Sequence, residues 1–155
     1  MSKSGISFFP AKESKLIEEK IDGYIKSDKA LFDEKRRIGE NDNYLCELIR
    51  QDSIEEFVSY VNHEKIPLSI KIKTSIFETN KFLIENEPTL IEYASFFGSI
   101  QIFQYLITNQ VSLTPSLWLY SIHSNNAEII QILELNKVAP PGNNFQQCLK
   151  ESIKC

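Results

Sequence analysis

Glycine and proline are scarce in this sequence of 155 residues, which contains five glycines and six prolines. Few residues can therefore break regular structure, so the position of each glycine and proline is informative. Hydrophobic residues make up 42% and charged residues 25%, the balance of an ordinary folded domain. This length and composition fit one domain, or one block of repeats, with a buried core.

A strong positive charge is also lacking, because the formal net charge is -4. Nucleic-acid binding requires a basic surface that neutralises phosphate groups. The densest basic run, residues 35–37, directly follows Asp33 and Glu34, whose charges balance most of it. We therefore expect no nucleic-acid partner.

Cysteines are few, and Cys46, Cys148 and Cys155 form no CxxC spacing. Their odd number argues against a disulfide framework and favours a reducing compartment. Residues 1–9 lack the long apolar run of a secretory signal and lead into the charged residues Lys12 and Glu13. We expect an intracellular, cytoplasmic protein.

One long stretch without formal charge, residues 93–127, is the candidate for a membrane span. A spanning helix needs about 20 mostly apolar residues. Gln101, Gln104, Asn109 and Gln110 would lie in the middle of the bilayer, where unpartnered amides are costly. We expect no membrane span.

Patterns for catalysis and metal binding are missing as well. His63 and His123 are the only histidines, and neither has a cysteine or aspartate at ligand spacing, whereas zinc sites need three or four ligands. Neither a phosphate-binding loop nor a nucleophile elbow occurs. Cys46 lies between Leu45 and Leu48 on an apolar face, which favours core packing over a role as nucleophile. We expect no enzyme activity, no metal and no cofactor.

What the sequence does contain is a turn pattern that occurs three times, in residues 51–57, 97–103 and 124–130. Each segment indicates the end of one helix, a tight turn and the start of another helix. The turn positions hold residue types that tolerate left-handed backbone angles after a helix. These repeat turns are Asp52, Gly98 and Asn125.

The residues after the three turns are types that favour helix N-caps, namely Ser53, Ser99 and Asn126. Ser53 and Glu56 also have the spacing of a capping box. Pro88 and Pro115 suit the first position of a helix, where the missing N–H would be unpaired. Apolar residues at three- and four-residue spacing then predict three helix pairs. Their ranges are 43–51 with 54–63, 88–97 with 100–109, and 115–124 with 127–136.

Residues 68–87 allow two interpretations. Leu68, Ile70 and Ile72 alternate as in a strand, whereas the apolar residues that follow have helical spacing. By register Asn80 matches Asn125, which would make this segment a truncated or merged repeat.

The two ends of the chain differ from its middle. Residues 12–38 have a stripe of apolar residues typical of an amphipathic helix broken near Ser27 and Asp28, and we expect residues 1–38 to form an N-terminal helical cap. Residues 39–155 would then be the repeats, the last one incomplete. Its inner helix, residues 144–155, has an apolar strip that we expect to be exposed, as in a truncated array or an end that a partner covers. The strip is Phe145, Cys148, Leu149 and Ile153.

The run from Thr89 to Ser99, with Gln101-Ile102-Phe103 and Tyr105-Leu106-Ile107 after it, resembles the ankyrin repeat. More specifically, roughly residues 38–138 resemble a large group of divergent ankyrin-like proteins that flagellate protists encode in expanded numbers. The motifs concerned are Gly39-Glu40-Asn41, Ser75-Ile76-Phe77-Glu78-Thr79-Asn80, Leu90-Ile91-Glu92-Tyr93-Ala94 and Ser116-Leu117-Trp118-Leu119-Tyr120. The repeat here is about 27 residues long where ankyrin has 33, so we expect short hairpin fingers or none.

This resemblance implies an all-α, ankyrin-like helix-turn-helix solenoid that serves as a protein–protein interaction scaffold without catalytic activity. Candidate partner contacts on the inner helices are Glu92, Phe96 and Trp118. Trp118 falls where ankyrin places a buried leucine, so core packing and an interface anchor both stay open. Phe96 lies beside Phe97, and both cannot point inward. The alternative function is a self-associating structural element, formed by stacking of open repeat ends through the C-terminal end.

Overall fold

A computed structural model of the chain describes residues 11–154, and the predicted all-helical architecture is confirmed there. Residues 1–10, Cys155 and the side chains of residues 11–13 lie outside this description, as does the side chain of Tyr24 in the predicted N-terminal stripe. No β-strand occurs in the described residues, where Lys71 and Thr89 form an isolated β-bridge. The α-helices are α1 (Ala11–Ser27), α2 (Lys29–Ile38), α3 (Tyr44–Arg50), α4 (Ile54–His63), α5 (Lys81–Asn86), α6 (Leu90–Phe97), α7 (Ile100–Thr108), α8 (Leu117–Ser124), α9 (Ala127–Leu135) and α10 (Gln146–Ser152).

Two sets of helices build the core. Helices α3, α6, α8 and α10 pack against one another in series, and we call them the inner row. Helices α4, α7 and α9, the outer helices, each pack against the inner helix that they follow, and α4 also contacts α7. Burial of the apolar faces between the two sets is the main stabilising contribution. The residues that lie fully inside include Ile49, Phe57, Leu90, Ile102, Phe103, Leu106, Leu117, Ile129 and Leu133.

The three repeat turns have the backbone that their residue types predict. Asp52, Gly98 and Asn125 have φ angles of 51°, 72° and 50°, all in the left-handed region. Their amides donate to the carbonyl groups three residues earlier, at distances of 3.0, 3.3 and 3.4 Å. The chain therefore reverses in the same way after α3, α6 and α8.

A second set of left-handed turns, which the sequence analysis missed, follows the outer helices. Lys65, Gln110 and Lys137 have φ angles of 52°, 63° and 53°. The next residue in each case is apolar, and its amide donates to the carbonyl group five residues earlier, as in a Schellman motif. These residues are Ile66, Val111 and Val138. Because lysine and glutamine carry no strong preference for this backbone, the signal was only the apolar residue that comes next.

The predicted helix starts need two corrections. Helices α6 and α8 begin two residues after Pro88 and Pro115, so neither proline is the first helical residue. Ser53 makes no capping hydrogen bond to α4, whereas Thr89 and Glu92 form a complete capping box at α6. Ser99 does not cap α7 either, because its hydroxyl donates to the carbonyl of Ile49.

The N-terminus of α7 is capped from the preceding helix pair. The two carboxylate oxygens of Asp52 accept from the amides of Gln101 and Ile102, each at 3.0 Å. A carboxylate at this end satisfies two unpaired amides and interacts favourably with the helix dipole. Asp52 therefore serves as turn residue and as inter-helix cap at once.

Residues 68–87 connect α4 to α6 and contain the short helix α5, and we call them the insertion. Asn80 has a φ angle of -72° and caps α5 through a hydrogen bond from the amide of Leu83, so it is no counterpart of Asn125. Next to the isolated bridge, the amide of Ile72 donates to the carbonyl of Pro88 at 2.7 Å. The alternating segment, residues 68–72, thus forms one isolated β-bridge, and the segment with helical spacing contains the short helix α5.

This insertion clamps the link between α2 and α3. The backbone amide and the hydroxyl of Thr79 both donate to the carbonyl of Gly39. The side-chain amide of Asn41 donates to the carbonyl of Lys73 at 2.9 Å. Gly39 has a φ angle of 71°, and a Cβ there would lie 2.8 Å from the Thr79 hydroxyl. The motif of residues 39–41 is therefore in contact with the insertion, although the two are more than 30 positions apart in sequence.

The ends of the chain leave apolar faces uncovered. The N-terminal helix breaks at Asp28, as predicted, and Asp28 caps α2. No described side chain of α1 is buried, and Phe32 is the one buried residue of α2. In α10 only Cys148 of the predicted strip is buried. The remaining three residues, which we call the α10 strip, are Phe145, Leu149 and Ile153, exposed by 55%, 65% and 78%.

Candidate interaction surface

A groove lies between α2 and the ends of α3 and α6, on the side of the inner row. Its volume is about 640 Å³, enough for several side chains of a partner. The residues that line it are Leu31, Glu34, Lys35, Ile38, Glu40, Asp42, Glu47, Arg50, Gln51 and Phe97.

The apolar part of the groove comes from α2. Leu31 and Ile38 are seven residues apart, so they lie on one face of the helix, and they are exposed by 42% and 54%. Phe97 adds a half-buried aromatic ring from the end of α6. Exposed apolar side chains that converge on one concave site are typical of interaction surfaces.

The charged part of the groove is acidic. Four carboxylates line it against two cations, Lys35 and Arg50. Lys35 pairs with Asp42 at 3.0 Å, and Arg50 pairs with Glu40 at 2.9 Å. The formal surplus is therefore two negative charges, which correspond to Glu34 and Glu47.

Arg50 fixes the floor of the groove. Its guanidinium donates to the carbonyl of Asn41 and to the hydroxyl of Tyr93, both at 2.9 Å. Burial raises the pKa of the Tyr93 hydroxyl, and it raises the pKa of Cys46 to about 12 despite the opposing effect of Arg50. Cys46 is therefore a protonated thiol at neutral pH and, at 1% exposure, a core residue as predicted.

Glu92, a predicted partner contact, uses its carboxylate within the chain. Besides the capping box with Thr89, it accepts a hydrogen bond from the hydroxyl of Ser116 at the start of α8. This carboxylate joins two neighbouring inner helices, which leaves it little capacity for a partner. The sequence could not show this role, because Ser116 is distant along the chain.

Trp118, the second predicted contact, is 7% exposed. Its indole N–H donates to the carbonyl of Val138 at 2.9 Å, and its ring packs edge-on against Phe145 at 5.2 Å. Core packing, rather than an interface anchor, is the role that this burial supports.

Phe96, the third predicted contact, is half-buried in an aromatic cluster. Its ring stacks on Phe82 of α5 at 6.0 Å and on the His123 ring at 4.7 Å. The His123 ring also contacts Phe82, with the ring centroids 4.5 Å apart, and its Nε2 atom is 3.2 Å from Glu151 of α10. The cluster joins the insertion to α6, α8 and α10. The sequence analysis missed it because its members lie on separate elements.

Among the side chains that the structure describes, no group of three or more histidine, cysteine, aspartate or glutamate residues could hold a metal ion. None of the helices in residues 11–154 combines the length and apolarity needed to cross a membrane. The fold and the groove thus define a class, an all-helical stack of helix pairs with an open groove. Comparison of the chain with protein families, curated proteins and solved structures finds no match.

Proposed function

We propose that the chain is a protein-binding module of ankyrin-like, helix-turn-helix repeat type, with no catalytic activity of its own. The order of inner helix, left-handed turn, outer helix and second left-handed turn occurs three times, which supports a repeat architecture. The separation from Gly98 to Asn125 equals that from Gln110 to Lys137, at 27 positions. In such proteins the concave side of the inner row is the binding surface.

The partner is a protein segment that combines apolar with basic side chains. The observation that carries this proposal is the convergence of exposed Leu31 and Ile38 in a groove with surplus carboxylates. Apolar side chains of the partner would cover these two residues, while lysine or arginine would face Glu34 and Glu47. Electrostatic complementarity of this kind adds specificity and association rate more than affinity.

The test is a selection of peptides from a displayed random library by the purified, immobilised protein. We expect the enriched peptides to contain apolar residues next to lysine or arginine, and their affinity to decrease at high salt. The double variant Leu31→Glu/Ile38→Glu should lose these peptides. Both positions are exposed, so the variant should fold.

The matched control is Leu149→Glu/Ile153→Glu, which replaces two exposed apolar residues on α10 instead. It should retain the selected peptides with the affinity of the original protein. Enrichment of acidic peptides, or equal binding by both double variants, would refute the groove as the binding site.

A further inference from the structure

Two tyrosine rings meet at nearly a right angle on the surface of the first helix pair. Tyr44 begins α3 and Tyr60 lies in the second half of α4. Their ring centroids are 5.0 Å apart, and the ring planes form an angle of 85°. Two rings in this arrangement leave a corner that is bounded by a face of each ring, and we call it the tyrosine corner. Because the faces of aromatic rings carry negative potential, such a corner attracts a cation.

The fold holds both rings in place. Asn43 caps α3 by accepting a hydrogen bond from the amide of Leu45 at 2.9 Å, which fixes the backbone on either side of Tyr44. Tyr60 is half-buried and packs against the hydrophobic core. Tyr44 is 48% exposed. One wall of the corner is therefore anchored in the core, and the other is open to a ligand from solvent.

A shallow cavity of about 270 Å³ adjoins the corner and includes a carboxylate. Besides the two tyrosines, its lining is Glu56, Ser59 and His63, which share one face of α4 with Tyr60 because of their helical spacing. Neither lysine nor arginine lines the cavity. The His63 ring pairs at 2.8 Å with Glu64, whose carboxylate offsets a charge on that ring. A cation in the corner would thus have two aromatic faces and the carboxylate of Glu56 as neighbours.

The chemistry of the lining favours a methylated ammonium group. A lysine ammonium is compact and strongly hydrated, and two aromatic walls provide no acceptors for its three donors. Methylation removes these donors, and quaternary ammonium groups bind well between aromatic side chains. A phosphocholine headgroup carries the same cation together with a phosphate, which Glu56 and the adjacent Glu55 repel. These properties select the side chain of a methylated lysine.

We propose that the tyrosine corner binds the trimethylammonium group of a trimethylated lysine on a partner protein. The cation lies against the faces of Tyr44 and Tyr60, and the carboxylate of Glu56 balances its charge. None of the residues that line this cavity lines the groove, so the proposal does not rest on peptide binding in the groove.

The test is a titration of the full chain that is followed by the NMR signals of its tyrosine rings. The probe is N-acetyl-trimethyllysine methylamide. It is compared with the unmethylated lysine compound and with a carbon isostere in which a tert-butyl group replaces the trimethylammonium group. We expect the probe to shift the signals of Tyr44 and Tyr60 to saturation. Both comparison compounds should bind at least about fivefold more weakly, the factor that one exposed cation–π contact supplies.

Matched variants locate the site. Tyr44→Leu removes one aromatic face at an exposed position, so the variant should fold and bind the probe about fivefold more weakly. Tyr44→Phe keeps the aromatic face and should bind like the original chain. Glu56→Gln should weaken binding as well. Glu55→Gln, in the same first turn of α4 but outside the cavity, should leave it unchanged.

Four results would overturn the proposal. Equal binding of the probe and its carbon isostere would exclude a cation site, because the two compounds differ only in charge. Binding that Tyr44→Leu leaves unchanged would exclude the tyrosine corner as its location. Tighter binding of phosphocholine than of the probe would exclude lysine as the source of the cation. The absence of any shift with the probe would refute the site altogether.

Discussion

Each repeat turn depends on the backbone conformation of a single residue. The residue type alone favours that conformation, so the turns can be predicted from the sequence. Asp52, Gly98 and Asn125 were predicted as left-handed positions because their residue types favour that backbone, and all three have positive φ angles. The contacts of Glu92 and Trp118 were harder to predict, because their hydrogen-bond partners lie 24 and 20 positions further along the chain. Burial is decided by packing between elements, which residue type alone does not specify.

Gly98→Val tests the left-handed turn directly. We expect a loss of more than about 1 kcal/mol of unfolding free energy, because a β-branched residue disfavours a positive φ angle. A Cβ at this position meets no atom closer than 3.4 Å, so the cost would come from the backbone and not from a clash. Urea unfolding measures it.

Gly98→Asn is the matched control, because Asn125 occupies the equivalent turn with a φ angle of 50°. It should cost clearly less than Gly98→Val. Equal stability of the two variants would contradict the turn assignment.

Glu78 gives the fold a dependence on pH. Burial raises the pKa of this carboxyl above its ordinary value of 4.5, since desolvation disfavours the charged form. Below about pH 4.5 Glu78 is protonated and its burial has no charge penalty. This contribution to stability is lost as the pH rises through the raised pKa and the buried carboxyl becomes charged. Glu78→Gln stays neutral and keeps an oxygen to accept from the amide of Asn80. Its melting temperature relative to the original chain should therefore rise from pH 4 to pH 7.

A difference between Glu78→Gln and the original chain that is constant with pH would contradict the assigned cause.

At the scale of elements, each helix of the three pairs begins and ends within two residues of its predicted bounds. Apolar periodicity and turn chemistry suffice there, because both act over a few residues. The insertion was not predicted, because its conformation depends on contacts of Thr79 and Lys73 with Gly39 and Asn41. The groove was also out of reach, since it forms only where α2 meets the inner row.

Asp52 links two helix pairs, and its substitutions separate the cap from the turn. Asp52→Gly keeps the left-handed turn but removes the carboxylate from the N-terminus of α7. We expect it to lower the melting temperature, because the amides of Gln101 and Ile102 lose their acceptor. Asp52→Asn keeps both the turn and an acceptor oxygen, and should cost less. Thermal unfolding of the two variants compares them, and a more stable Asp52→Gly would argue against the inter-helix cap.

At the scale of the whole molecule, the inner row does two things. It holds the outer helices on one side, and together with α2 it forms the acidic, partly apolar groove on another. The α10 strip was predicted from register alone and is exposed in the structure.

Hydrogen exchange with and without a selected peptide tests the central claim most directly. Binding in the groove slows exchange of the amides that it shields from opening. We predict slower exchange in α2, in α3 and at the C-terminal end of α6 when the peptide is bound, and unchanged exchange in α9. Protection confined to α4, α7 and α9, with α2 unaffected, would contradict the groove as the binding surface.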